Sequence, residues 1–272
     1  MIRFNLDRRA IVGCALLAAS ATLLGCGASD TPQTDAARAQ RGREIIQRMS
    51  AAISSAPQFS ITTNEGRDDI AAGGQVRHTN LTRETVVRRP DRLYFTTTGE
   101  ARREGWYDGV GLTVAEHAQK VFAQSRMPET LDKTIDAIHE RYGVILPLAD
   151  LLYADPAKAI LTDSTTGGWV GREELDGRKA DHVAFKVESV AWEMWVPADG
   201  PPLPLKLVAE FATQKRPRKV EVTFQNWNLA PTIAADQFNP KVPPDYEGIA
   251  MIQRASILRH LPDEPAATSG KR

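Results

Sequence analysis

Apolar and polar residues alternate along two stretches of the chain, residues 59–124 and residues 168–227. In the second stretch, Val183, Phe185 and Val187 fall on one face, and mostly polar residues fall on the other. A period of two predicts strands with one buried face and one wet face, and dipeptides such as Asp108-Gly109 suit the tight turns between them. The candidate strands are residues 59–63, 74–89, 92–98, 101–107, 112–116, 120–124, 168–175, 178–189, 191–196, 203–213 and 219–227.

Helical spacing occurs in front of the first group of strands and again between the two groups. Apolar residues recur every three or four positions from residue 45 to residue 53, behind a potential N-cap at Asp35. Leu131, Ile135 and Ile138 have the same spacing in the middle of the chain. The predicted helices are residues 36–53, 128–141, 147–153, 156–161 and a short one at 248–261, with a disordered tail behind it.

These elements predict an α+β fold. An antiparallel sheet of ten or eleven strands curls strongly or closes on itself, and so few helices can cover only its concave face. We therefore expect a curved, incomplete antiparallel β-barrel with an N-terminal helix and a mid-chain helical insert over the concave face. The residues predicted to form a hydrophobic cavity or its lid are Leu131, Ile135, Ile138, Trp192, Trp195 and Phe211.

The two tryptophans of this set pose a question that the sequence leaves open. Trp192 and Trp195 are separated by an odd number of positions, so on a regular strand only one of them faces the concave side. The inward one could pack in a filled core or line a ligand cavity. Both interpretations are compatible with the pattern.

The N-terminus has the layout of an export signal. Arginines at positions 3, 8 and 9 precede an uncharged stretch over residues 10–24, which is shorter than the roughly twenty residues of a membrane-spanning helix. It ends in Leu23-Leu24-Gly25-Cys26, which resembles the lipobox of bacterial lipoproteins, so Cys26 is the predicted lipidation site. Cys14 offers a competing site with less apolar sequence in front of it. Gly27 follows the cysteine where a retained inner-membrane lipoprotein would have Asp, which favours the outer membrane.

The predicted organisation follows from these boundaries. Residues 1–25 are predicted to form a lipoprotein signal peptide, 26–35 a flexible tether, 36–247 the open-barrel domain, and 248–272 the short helix and tail.

The net charge of the mature chain is close to zero. Removal of the signal peptide takes three arginines and one aspartate from a balance of 34 basic and 34 acidic residues, which leaves a formal charge of −2. This balance gives no electrostatic reason to expect nucleic acid as a partner.

The sequence carries little sign of catalytic chemistry. The sequence has no nucleophile elbow, phosphate-binding loop or dinucleotide fingerprint, and its five histidines do not pair at metal-ligand spacing. His182 is predicted to be a surface residue on the polar face of its strand, and Glu173-Glu174 and Asp68-Asp69 to be solvated charges. We therefore predict no metal, no cofactor and no enzymatic activity.

Several short motifs carry a family resemblance that spans about residue 40 to residue 245. They are residues 88–93 (RRPDRL), 192–197 (WEMWVP), 202–206 (PLPLK), 224–227 (FQNW) and 238–240 (FNP). With these motifs the chain resembles a family of predicted periplasmic proteins of unassigned function, related to the carrier fold of LolA, LolB and LppX-type lipoproteins. The resemblance implies an open barrel with helices that plug its mouth.

The expected function follows from the export signal and from this resemblance. It is that of a membrane-anchored lipoprotein on the periplasmic side, which binds a lipid, a lipoprotein acyl chain or an apolar small molecule. The alternative is an envelope scaffold or stress-signalling partner whose sheet is filled by its own side chains. A third hypothesis, a hydrolase with an unrecognised site, would need a clustered His, Asp and Ser.

Overall fold

The structure is a computed structural model, and it describes residues 34–70, 75–99, 102–142, 148–212 and 218–251. The predicted signal peptide, Cys26 and most of the tether lie outside the described residues, as does the chain beyond residue 251. No helix within the described part is long and apolar enough to cross a membrane.

Three α-helices and a short 3₁₀ helix are described. Helix α1 is Asp35–Ser54, α2 is Leu131–Tyr142 and α3 is Pro156–Ile160, with the 3₁₀ helix Ala149–Leu151 between α2 and α3. The N-cap of α1 is Thr34, whose hydroxyl accepts a hydrogen bond from the Ala37 amide at 3.1 Å, so the prediction of Asp35 as the cap is wrong by one residue.

Twelve strands are described, one more than the upper predicted number. Two differ clearly from expectation: β1 extends seven residues beyond its predicted end, and β12 occupies the start of the predicted C-terminal helix. The strands are β1 Gln58–Ile70, β2 Val76–Arg88, β3 Arg92–Gly99, β4 Arg103–Tyr107, β5 Gly111–Glu116, β6 Val121–Arg126, β7 Thr166–Leu175, β8 Arg178–Val187, β9 Val190–Pro197, β10 Lys206–Phe211, β11 Arg218–Asn228 and β12 Glu247–Ile249.

All twelve strands belong to one sheet, in the order β12-β6-β5-β4-β3-β2-β1-β11-β10-β9-β8-β7. Every neighbouring pair is antiparallel except β12 and β6, which are parallel. The two meanders meet where β1 pairs with β11, and the edge strands β7 and β12 do not pair with each other. The predicted fold class, an open and curved antiparallel sheet with a few helices, is confirmed.

Helix α1 covers the β7 and β8 end of the inner face of the sheet. Its apolar stripe, which includes Ile46 and Met49, is fully buried in a core shared with Val183 and Phe185 of β8. The helix approaches β7 so closely because two glycines face each other: a Cβ on Gly42 would lie 2.7 Å from the backbone of Gly168. The predicted inward face of β8 is therefore the face that packs against the helices.

The outer face is partly covered by the segment that follows β11. Phe238 of this segment is 2% exposed and lies under the guanidinium of Arg88, 4.9 Å from the ring centroid. Further along, the Tyr246 hydroxyl is 2.7 Å from Nδ1 of His117, and β12 then adds to the edge of β6. Backbone pairing with β6 explains why residues 247–249 are extended, although their sequence allows a helix.

The contact between Gly42 and Gly168 predicts the effect of a single methyl group. Gly42→Ala gains about 1 kcal/mol of helix propensity, but its Cβ meets backbone atoms that cannot move aside. Overpacking of this kind costs roughly 1–3 kcal/mol, so we expect a net loss of stability and a lower melting temperature. Gly171→Ala on β7 is the control, because its Cβ would meet no atom within 4 Å. Equal melting temperatures for the two variants would contradict the proposed packing.

Candidate functional site

The helical insert and the inner face of the sheet enclose apolar space. We call residues 148–160, which contain the 3₁₀ helix and α3, the lid segment. Its leucines face strands from both halves of the sheet, because Leu151 lines two separate clefts. Because Leu151 lines both clefts and is only 5% exposed, it forms the partition between them.

The first cleft has a volume of about 70 Å³ and lies between the lid segment and strands β1 to β3 and β11. Its walls are apolar except for a charged pair, Glu65 and Arg83, and one threonine. The lining residues are Phe59, Ile61, Glu65, Arg83, Thr85, Leu93, Phe95, Leu148, Ala149, Leu151, Leu152, Phe224 and Trp227.

The second cleft has a volume of about 200 Å³ and lies between the lid segment and strands β8 to β10. The rings of Phe185 and Trp192 contact each other beside it, with centroids 4.8 Å apart and planes tilted by 30°. The lining residues are Asp150, Leu151, Ala159, Ile160, Val187, Val190, Trp192, Met194, Leu207, Ala209 and Phe211.

A few polar contacts attach the lid segment to the rest of the fold. Arg89, which follows β2, donates from Nη1 to the carbonyl oxygen of Leu152 at 2.8 Å. Tyr153 donates to Oδ1 of Asp136 at 2.6 Å, and the hydroxyl of Ser50 in α1 donates to Oδ1 of Asp155 at 3.0 Å. Burial lowers the pKa of Arg89, and its Nε and Nη2 atoms are buried without a hydrogen-bond partner. The lid is therefore held at separate points and not by a continuous ladder of hydrogen bonds.

Asp150 places a carboxyl group on the lid segment beside the apolar second cleft. Asp150 as a whole residue is exposed to solvent, but the protein around its carboxyl group excludes much of the water. This desolvation raises the pKa of Asp150 from 3.8 to about 6. The charged form is thus disfavoured where the lid meets the sheet.

Glu65 is the most deeply buried charge at the first cleft, with a side chain that is 0% exposed. Its carboxylate accepts hydrogen bonds from Arg83 Nε at 2.7 Å and from Arg67 Nη2 at 3.0 Å. Burial alone would raise the pKa of Glu65, but the hydrogen bonds and charges of Arg83 and Arg67 hold it below its ordinary value. The three side chains form a charged cluster at one end of an apolar cleft.

The six predicted site residues separate into three groups, of which the third is Trp195 alone. Trp192 and Phe211 both line the second cleft. Leu131 and Ile135 are buried on α2, and Ile138 packs against the core from the same helix. These three line neither cleft, so their part in a movable lid stays a prediction.

Trp195 lies on the opposite face of the sheet from Trp192, which agrees with their odd spacing. Its ring stacks on His182 with centroids 4.2 Å apart, and its indole donates to Glu173 at 2.9 Å. Trp195 is therefore not part of either cleft.

The expectation that His182 is a surface residue is wrong, because His182 is only 7% exposed. Trp195 covers its ring, and Glu173 and Glu193 each approach one ring nitrogen.

Sequence reasoning missed the charged cluster and the partition residue. Glu65 and Arg67 are two positions apart, so the period of a strand already places them on one face. However, the predicted strand stopped at residue 63, and the position of Arg83 beside them depends on the β1–β2 register, in which Thr63 is opposite Arg83. Nothing in the sequence distinguishes Leu151 from an ordinary buried leucine.

Among the described residues, no group of three His, Cys, Asp or Glu side chains is placed to hold a metal ion. The clefts instead offer apolar surface with a few charges at their margins. That composition suits a hydrophobic or amphipathic ligand.

Comparison with known proteins assigns the family. Residues 42–252, more than half of the chain, match the family described as predicted periplasmic protein (DUF2092). The chain belongs to this family. The DUF2092 family description is consistent with the export signal expected from the sequence. No curated protein matches the chain.

Solved structures that resemble this DUF2092 protein share little sequence with it. A LolA superfamily protein from Nitrosomonas europaea is 10% identical with a TM-score of 0.40, over 74% of this chain and 98% of that one. A lipoprotein-sorting protein domain from Vibrio parahaemolyticus is 10% identical with a TM-score of 0.37, over 74% and 97%. The MucA/MucB complex of Pseudomonas aeruginosa contributes a chain at 16% identity and a TM-score of 0.39, over 74% and 61%. Similarity at this level carries no information about a ligand or partner.

The raised pKa of Asp150 predicts a pH-dependent stability. Since the folded-state pKa of about 6 lies above the ordinary 3.8, folding favours the protonated carboxyl, and this group destabilises the fold increasingly as pH rises from 3.8 to 6. Asp150→Asn should therefore raise the melting temperature at pH 7.5, with a gain that shrinks towards pH 4. Asp163→Asn, at an exposed position outside the second cleft, is the control. A gain that is independent of pH would contradict this account.

Proposed function

We propose that this protein is a periplasmic lipoprotein that binds a hydrophobic ligand between the lid segment and the inner face of its sheet. The observation that carries the proposal is the position of Leu151, which divides two apolar clefts beneath a segment attached by separate polar contacts. Displacement of the lid segment would join these clefts into one groove. The candidate ligands are a lipid, an acyl chain of another lipoprotein or an apolar small molecule.

The size of the clefts requires the lid to move. Ligand pockets typically begin at about 300 Å³, whereas the clefts measure about 70 and 200 Å³. Each acyl methylene that enters apolar surroundings contributes about 0.8 kcal/mol. A chain of ten or more buried methylenes would gain roughly 8 kcal/mol before the cost of opening. That cost includes the hydrogen bonds of the lid, at about 1 kcal/mol each, and the exposure of apolar lid residues such as Leu151.

The small size of the clefts also supports a second candidate function. If the lid stays closed, the protein's own side chains fill the space on the concave side of the sheet. The protein would then act as an envelope scaffold or interaction partner. The two candidates differ in ligand uptake by the purified protein. Neither assigns it an enzymatic activity or a cofactor.

Filling the second cleft tests the ligand-binding function. Ala209 lines this cleft from β10, so Ala209→Phe places a ring in the space that a ligand would use. We expect uptake of the neutral probe N-phenyl-1-naphthylamine to weaken about tenfold, which corresponds to a loss of about 1.4 kcal/mol. The measurement is a fluorescence titration with the purified domain.

The neighbouring residue supplies the matched control. Val208 lies on the other face of β10, in register with Glu193 and Glu221, so Val208→Phe adds the same ring outside the cleft and should leave probe uptake unchanged. If the unmodified protein takes up no probe, the scaffold function is favoured. If both variants weaken uptake equally, the probe does not bind in the cleft.

The two cysteines allow a direct test of lipid anchoring. We propose that Cys26 carries the lipid, so Cys26→Ser should move the protein from the membrane fraction to the soluble periplasmic fraction. Cys14→Ser, within the signal peptide that processing would remove, should leave the protein in the membrane fraction. Membrane association that survives Cys26→Ser but is lost in Cys14→Ser would assign the anchor to Cys14.

A further inference from the structure

The charged cluster of Glu65, Arg67 and Arg83 adds a specific feature to the first cleft. The Glu65 carboxylate is fully buried, and both of its oxygens accept hydrogen bonds from guanidinium groups. Two guanidinium groups thus surround one carboxylate, which leaves one positive charge without compensation within the cluster. Arg83 lines the first cleft with a side chain that is 17% exposed, and Arg67, which contacts Glu65 beside this cleft, has a side chain that is 27% exposed.

The hydrogen-bond donors of this cluster are not all used. Arg67 donates from Nη2 to Glu65, but its Nε is buried and has no hydrogen-bond partner. A buried donor without a partner costs about 1–3 kcal/mol. A second anionic oxygen beside Arg67 would balance the excess charge of the cluster, and it would satisfy Nε once the guanidinium turned towards it.

The rest of the cleft is apolar and leads away from the cluster. The guanidinium carbon Cζ of Arg83 lies over the ring of Phe95, 5.3 Å from the ring centroid. Phe59 and Leu93 belong to the same apolar wall. A ligand that fits this surface has an apolar chain along the wall and an anionic group at the arginines. Guanidinium groups bind carboxylates with two parallel hydrogen bonds, which adds geometric selectivity to the charge.

We propose that the first cleft, with the lid displaced, binds a fatty acid whose carboxylate is held by Arg67 and Arg83. This inference rests on the proposed ligand-binding function and assigns its ligand to a chemical class. Glu65 positions the two arginines and, because it is itself anionic, also limits how tightly they bind a second carboxylate. The cluster therefore sets the affinity for the head group, and the apolar wall sets the affinity for the chain.

The test compares laurate with 1-dodecanol, which has the same chain length and no charge. Each displaces N-phenyl-1-naphthylamine from the purified protein at pH 7.5. We expect laurate to bind about tenfold more tightly than dodecanol, consistent with one added charge-assisted hydrogen bond. Arg67→Gln keeps the Glu65–Arg83 pair and should lower laurate affinity to that of dodecanol.

A second variant should have the opposite effect. Glu65→Gln keeps an oxygen that accepts from Arg83 but removes the competing charge, so laurate affinity should rise several-fold. Dodecanol affinity should stay within twofold in both variants. If the cluster had a purely structural role, each substitution would change the affinities for laurate and for dodecanol in the same direction. A melting curve of each variant verifies that it is folded.

The outcomes separate this proposal from the function on which it rests. If neither ligand nor the probe binds, the ligand-binding function is wrong, and the fatty-acid assignment is wrong with it. If laurate and dodecanol bind equally to all three proteins, ligand binding stands and the assignment of the head group to Arg67 and Arg83 is overturned.

Discussion

The sheet of this protein does not close, and the remaining features of the fold follow from that constraint. With β7 at one edge and β12 at the other, the described part of the chain has no second sheet to cover the apolar inner face. Burial of that face depends on α1, which packs against β7 through paired glycines, and on the helical insert. Helix α1 is fixed by close backbone contact, whereas the lid segment is attached by side-chain hydrogen bonds and by apolar side chains such as Leu151 that pack beside small clefts. We therefore expect the lid segment to be the part of the cover that is displaced most easily.

The acidic residues beside the two clefts are compensated differently. At the first cleft, Glu65 is fully compensated by two arginines, so breaking the cluster would leave a buried charge without its partner. At the second cleft, Asp150 is opposed by desolvation, and the cost of its charge falls on the lid segment itself. The first cleft thus has a cluster with a net positive charge, while the lid segment carries a carboxyl group whose charged form is disfavoured.

Much of the fold could be predicted from the sequence, because the alternation of β8 to β11 and the spacing in α1 are local patterns. The class of fold and the opposite faces of Trp192 and Trp195 followed from these periods. Long-range features could not be predicted in this way. β12 depends on pairing with a strand over a hundred residues earlier, His182 is buried by a neighbour on another strand, and Arg83 reaches Glu65 through strand register.

The central claim, that the lid segment opens to admit a ligand, is tested most directly by hydrogen exchange. Amides of the lid, such as Leu151 and Leu152, should exchange much faster than those at the centre of β1 and β2 in the free protein. Addition of laurate should change lid exchange and leave α1 unchanged. Lid amides that are as protected as the central strands, and that do not respond to laurate, would contradict the account.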